Sequence, residues 1–75
     1  MIKEEKQQIA ITVNGAQQEI PESTTVEQLL AQRGLLGASA IAVAVNNKVV
    51  RRQSWAACEL LAGDSVVLLT AVQGG

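Results

Sequence analysis

Histidine, tyrosine and phenylalanine are absent from this chain, and cysteine, proline and tryptophan occur once each, as Cys58, Pro21 and Trp55. Each shortage excludes something. Without histidine there is no imidazole general base and no Ser-His or Cys-His dyad. A single cysteine closes no disulfide within the chain, and with no histidine beside it no zinc ligand set is expected, nor any other metal site. One aromatic ring gives no platform for stacked bases, and a formal net charge of −1 gives no basic footprint, so no nucleic-acid partner is expected. The longest apolar run, residues 40–45, is far too short to cross a bilayer. The opening Met1-Ile2-Lys3-Glu4-Glu5-Lys6 is charged and lacks the apolar core of a signal peptide. No membrane association is therefore expected. A cytoplasmic location is the simplest expectation, and a free Cys58 agrees with a reducing compartment.

What the chain has is aliphatic: nine valines, eight leucines and five isoleucines in 75 residues, with 48% apolar residues overall. That content argues against disorder, and the length allows one domain. A domain this small, with no disulfide or metal to staple it, has to be held by packing alone.

The apolar residues are ordered along the chain. Residues 1–7 mix both charges with glutamine and read as a flexible lead-in. Ile9, Ile11 and Val13 then alternate with Ala10, Thr12 and Asn14, the period of a half-buried strand. Asn14-Gly15 is a strong hairpin signal because both residues tolerate positive φ, and a return strand is expected over Gln17 to Ile20, ended by Pro21. Thr24-Thr25-Val26-Glu27 reads as a capping box with Thr24 as N-cap and Glu27 at N3. Val26, Leu29 and Leu30 follow at helical spacing, with Gly34 suited to a left-handed C-cap, which predicts a helix near residues 25–33.

After a connection over Leu35 to Ser39, Ile41, Val43 and Val45 alternate with Ala42 and Ala44 as a third strand. Asn46-Asn47 turns into a short strand over Lys48 to Val50. Ser54 to Ala57 reads as one helical turn with Trp55 plugging the core. Gly63-Asp64 is a turn into a β-rich run from Ser65 to Val72. This order predicts an α+β fold, a β-grasp (ubiquitin-like) domain over residues 8–72. Its mixed four- to five-stranded sheet carries one main helix on one face, and the last strand lies centrally, parallel to the first. Residues 73–75 form a C-terminal tail ending in Gly-Gly.

Few side chains offer chemistry. The carboxylates are scattered: Glu27 is assigned to the helix cap and Asp64 to a turn. Gly34, Gly37 and Gly63 lack the Gly-Lys-Ser/Thr ending of a phosphate loop. Cys58, between Ala57 and Glu59, reads as a small buried hydrophobe. A reactive thiol would need a cation beside it, for which Arg51 and Arg52 are the candidates. The tail remains. By composition about one chain in 200 ends in Gly-Gly by chance, so the dipeptide is weak by itself. Here only Gln73 separates it from Val72, the expected end of a central strand. Without Cβ atoms, Gly74 and Gly75 can thread a narrow channel. The Gly75 carboxyl carbon then meets no shield from its own residue. Adenylated from ATP, such a carboxylate becomes a mixed anhydride open to a sulfur nucleophile.

These features resemble the ThiS family of sulfur carriers of thiamin thiazole biosynthesis, over residues 8 to 75. The resemblance is carried by Ile11-Thr12-Val13-Asn14-Gly15, by Thr25-Val26-Glu27-Gln28-Leu29-Leu30, by Ala42-Val43-Ala44-Val45-Asn46-Asn47, and by Val49-Val50-Arg51-Arg52 leading to Trp55-Ala56. It closes with Leu61-Ala62-Gly63-Asp64 and Val72-Gln73-Gly74-Gly75.

The resemblance implies a protein that is not itself an enzyme. Its Gly75 would be adenylated and converted to a thiocarboxylate that donates sulfur to the thiazole, with Gly74 guiding the tail. It implies an E1-like adenylating enzyme of the ThiF type, a thiazole synthase of the ThiG type and a cysteine desulfurase relay as partners. No cofactor is bound by the chain itself, and ATP is used by the activating partner. The sister MoaD family, the small subunit of molybdopterin synthase, is the near alternative. Its approach to the glycines usually contains proline, where this chain has Leu69-Thr70-Ala71-Val72. The chain departs from the ThiS pattern in the extra residues 1–7 and in Arg51, where many relatives carry proline. A β-grasp interaction module with an inert tail is the other alternative.

The alternation of the sheet adds one more expectation. With Val66, Leu68, Val43 and Val45 facing the helix, Val67, Leu69, Ala42 and Ala44 share the opposite face. They form a flat apolar patch for a partner protein.

Overall fold

The computed structural model describes residues 7–38 and 40–70. Alternation in the first segment gives strand β1 (Gln8–Val13), and Asn14 (φ 51°) and Gly15 (φ 85°) turn it into β2 (Ala16–Pro21). The two pair antiparallel from Gln8 opposite Pro21 to Val13 opposite Ala16. The return strand is thus one residue longer at each end than its apolar pattern suggests. Pro21 is its last residue, on an edge where a missing N–H costs no ladder bond. Glu22 N–H donates to Gln7 O at 2.8 Å and carries the hairpin one residue further.

The helix α1 (Val26–Gln32) starts one residue later than its sequence signal. The N-cap is Thr25, not Thr24, and its partner at N3 is Gln28, not Glu27. Thr25 Oγ1 accepts from Gln28 N–H at 3.1 Å, and Gln28 Oε1 accepts from Thr25 N–H at 3.0 Å. The doubled threonine allows either frame, and tertiary bonding selects one. Thr24 is buried, its hydroxyl donates to Pro21 O, and its carbonyl accepts from Leu60 N–H at 2.8 Å. It is therefore committed to tying two segments together. At the other end Gly34 (φ 72°) closes the helix in a Schellman arrangement: Gly34 N–H donates to Ala31 O and Leu35 N–H to Leu30 O.

Strands β3 (Ile41–Val45) and β4 (Lys48–Val49) form a tight antiparallel pair through Asn46 and Asn47, both at positive φ. A 3-10 helix (Arg52–Ala57) follows, longer than one turn, and Trp55 plugs the core as its size suggests. Its indole N–H donates to Val50 O at 2.9 Å, which satisfies the polar end of a buried ring. Arg52 lies 4.7 Å over the same ring. The last strand, β5 (Ser65–Thr70), lies centrally: the sheet order is β2-β1-β5-β3-β4, with β1 and β5 parallel and the other pairs antiparallel. The expected extension of β5 through 71 and 72 lies outside the described residues, as do residues 1–6 of the lead-in.

One face of this sheet takes the helix. Ile11, Val13, Ile20, Val43, Val66 and Leu68 meet Val26, Leu29, Leu30, Trp55 and Leu60 in a single buried cluster, with Val45 half-buried at its margin. The five-stranded sheet with one helix on one face is the expected β-grasp architecture.

Candidate functional site

Because successive side chains of a strand point to opposite faces, the burial of Val66 and Leu68 sends Val67 and Leu69 to the outer face. Pairing of β5 with β3 sets Ala42 opposite Leu69 and Ala44 opposite Val67. The structure thus brings all four sequence-predicted residues together. Leu69 is 64% exposed and Val67 36%. The alanines beside them keep the surface flat. One residue escaped the sequence reading: Val49, 78% exposed, lies opposite Ala44 on β4 and continues the row Val67-Ala44-Val49 across three strands. The two-residue Asn46-Asn47 turn carries that information, since it forces Val45 opposite Lys48 and hence Ala44 opposite Val49.

The outer face is divided. On the β1–β2 side it carries Thr12 opposite Gln17 and Ala10 opposite Glu19. The apolar half belongs to β5, β3 and β4, beside the strand that leads to the C-terminus. Gly74 and Gly75 follow β5 in the sequence and lie outside the described residues.

Asparagine and aspartate side chains hold β5 in place. Asn46 Oδ1 accepts from Ser65 N–H at 2.9 Å, and Asn46 Nδ2 donates to Asp64 Oδ1 at 2.9 Å. Asp64 Oδ2 accepts from Leu61 N–H at 2.8 Å, and Asp64 O accepts from Thr12 N–H. At the far end Asn14 Oδ1 accepts from Leu68 N–H at 2.8 Å, so a side chain supplies the rung that β1, having turned, cannot. Asp64 therefore serves the entry to β5, as its turn position suggests.

Cys58 is half-buried and free. Burial, and secondarily the negative charge of Asp64, raise its thiol above the ordinary range, the opposite of activation. Its carbonyl accepts from Val26 N–H at 2.9 Å, next to the bridge between Thr25 and Glu59. Cys58 thus helps fasten the helix N-terminus. Among the described residues there is no cluster of His, Cys, Asp and Glu that could hold a metal ion, and no helix is long and apolar enough to cross a membrane.

A family model described as the ThiS family matches residues 4–75. Among solved structures, that of the thiamine biosynthesis protein ThiS from Geobacter metallireducens is similar, with a TM-score of 0.75 and 30% sequence identity over 89% of this chain and 100% of that one. No curated protein matches significantly.

Proposed function

Since the chain belongs to the ThiS family, we propose that it is a sulfur carrier, acted on by partner enzymes rather than catalytic itself, whose reactive group is the carboxyl of Gly75. An E1-like enzyme of the ThiF type transfers AMP from ATP to that carboxylate and releases pyrophosphate. The carboxyl carbon becomes electrophilic, and the outer sulfur of a persulfide fed by a cysteine desulfurase relay displaces AMP to give an acyl disulfide. A second thiol then cleaves its S–S bond, releasing the thiocarboxylate and leaving a disulfide. The resulting thiocarboxylate donates its sulfur to the thiazole of thiamin through a synthase of the ThiG type. Gly74 lets the last residues enter a narrow channel, and the patch of Val67, Leu69, Ala42 and Ala44, extended by Val49, is the face the activating enzyme holds.

The observation that carries this reading is the family match, which runs through the terminal glycines to residue 75. The fold supports it, because the strand that the glycines follow in the sequence is the central one of the sheet.

The test is the intact mass of the protein after incubation with ATP, an adenylating enzyme known to thiolate its own carrier, and a sulfur source. Exchange of one oxygen for sulfur at the C-terminus, lost on deletion of Gly75, is the expected result. An unchanged mass with that competent enzyme rejects the proposal.

A further inference from the structure

Strand β5 outruns its neighbour on one side. Pairing with β3 continues from Val66 opposite Val45 to Thr70 opposite Ile41. Pairing with β1 consists of Thr12 beside Ser65 and Val13 beside Val66, after which the chain turns at Asn14-Gly15. Along a strand, successive residues direct their backbone N–H and C=O to alternate neighbours. Asn46 N–H donates to Ser65 O at 2.8 Å, so positions 65, 67 and 69 address β3. Positions 66 and 68 address the other side: Asn14 N–H donates to Val66 O at 2.8 Å, and Leu68 N–H donates to Asn14 Oδ1. The Leu68 carbonyl and both backbone groups of Thr70 address that same side, where the described residues provide no hydrogen-bond partner.

The two outermost strands carry the usual defences against strand addition: charge, proline or brevity. Outer strand β2 has Gln17-Gln18-Glu19 and ends in Pro21, and β4 is two residues long with Lys48 in it. The open stretch of β5, by contrast, reads Leu68-Leu69-Thr70, without charge or proline. Leu69 and Val67 flank it on the outer face.

Resting on the reading of Gly75 as the reacting carboxyl, we propose that the adenylating enzyme adds a strand of its own to this open edge. That strand bonds to the N–H and C=O of Thr70 and to the C=O of Leu68. The distance to the reacting carbon selects this occupant. Residues 71–75 separate Thr70 from the carboxyl, and an extended residue spans at most about 3.5 Å, so the carbon lies within about 18 Å of Thr70. An enzyme whose catalytic groups reach Gly75 must pass close to this edge. Strand addition gives affinity through main-chain bonds and fixes the direction in which the tail leaves. It also sets Leu69 and Val67 against the same partner.

Two measurements test the proposal, with a ThiF-type adenylating enzyme as the probe. In hydrogen–deuterium exchange read by NMR, saturating enzyme without ATP should slow the Thr70 amide at least about tenfold, as expected for a newly made backbone hydrogen bond. Thr70→Pro removes an N–H that makes no bond within the described fold and places a ring where the added strand would lie. Its melting temperature should stay near that of the parent, while KM for the protein in ATP–pyrophosphate exchange rises at least about tenfold. An unprotected Thr70 amide in a complex that still supports pyrophosphate exchange overturns the edge pairing alone. Protection that grows with the protein's own concentration, without enzyme, assigns the edge to a second copy and also overturns it. If the parent protein supports no pyrophosphate exchange at all, the Gly75 reading fails and the edge proposal fails with it.

Discussion

Leu69→Asp separates the outer face of the sheet from its core within one residue of the strand. Leu69 is 64% exposed, whereas its neighbour Leu68 is 7% exposed. In the free protein the substitution removes a side chain that is already mostly in water. The expected cost is that of a surface change, about 0.5 kcal/mol, plus up to about 1 kcal/mol for placing Asp in a strand. For a domain of this size that lowers the melting temperature by roughly 6–12 °C at most. Leu68→Asp, which puts a carboxylate into the packed cluster, should unfold the domain.

In a complex the arithmetic differs. Full burial of a leucine is worth about 1.5–3 kcal/mol, and the exposed 64% of this one leaves about 1–2 kcal/mol to be gained against a partner. Asp forfeits that gain and adds the cost of desolvating a carboxylate, at least about 2 kcal/mol more. A total of about 3 kcal/mol or more corresponds to roughly a hundredfold weaker binding. Leu69→Ala should lose only the first part, roughly five- to thirtyfold. The assay is KM for the protein in ATP–pyrophosphate exchange with a ThiF-type enzyme, with thermal melting as the control for folding. A folded Leu69→Asp protein whose KM stays within about threefold of the parent refutes the docking face, since that is under about 0.7 kcal/mol.

The helix cap gives a second test: Thr25→Ala should cost about 1 kcal/mol in urea unfolding, Gln28→Ala should be measurably destabilising and Glu27→Ala nearly neutral. Equal losses at 27 and 28 would contradict the frame set by Thr25. At Asn14, glycine keeps the positive φ of 51° but loses the bond to Leu68 N–H, so Asn14→Gly should cost about 1 kcal/mol. Asn14→Ala should cost about 1 kcal/mol more, because alanine strains in the left-handed region. Cys58 predicts a pH effect of known sign. With its thiol raised by burial and by Asp64, the folded state holds its proton to higher pH than the unfolded chain does. The thiol's contribution to stability is full below the ordinary thiol pKa and is lost as pH rises through the folded value. The stability gap between the parent and Cys58→Ala should accordingly stay constant at neutral pH and shift against the parent in alkali; a gap that stays level throughout would contradict the raised thiol.

Much of this was legible because the apolar pattern and the turn chemistry agree. Ile9-Ile11-Val13 and Ile41-Val43-Val45 name their own faces, and Asn14-Gly15 and Asn46-Asn47 fix two registers without reference to anything distant. The central place of β5 follows from the order of elements. Its succession of Val66, Val67, Leu68 and Leu69 suits either a strand covered on both faces or one with a sticky outer face, and the exposure of Val67 and Leu69 selects the second. The helix frame was not legible. Thr24 and Thr25 both suit an N-cap, and the choice is made by Leu60, thirty-six residues beyond Thr24, whose N–H claims the Thr24 carbonyl. Val49 was missed for a different reason: a two-residue strand has no period to read, and only its register against Ala44 reveals its face.

The hydrogen bond from Leu68 N–H to Asn14 Oδ1 could not be read either, since it joins residues fifty-four apart. Yet it links the clearest local signal of the chain to its proposed function. Asn14-Gly15 decides how far β1 runs, and β1 is the strand that would otherwise cover β5 on that side. A hairpin longer by four residues in each strand would carry β1 alongside Thr70 and leave no edge to pair. A hairpin shorter by two would strip Val66 of its rung and loosen the strand that leads to Gly74 and Gly75. With the turn where it is, the asparagine side chain satisfies the last N–H that a β1 residue would have served, and the edge opens one register later. The turn that closes the hairpin therefore also sets how much of β5 is held and how much is offered, and the polar side chain its positive φ favours is the one that draws the boundary.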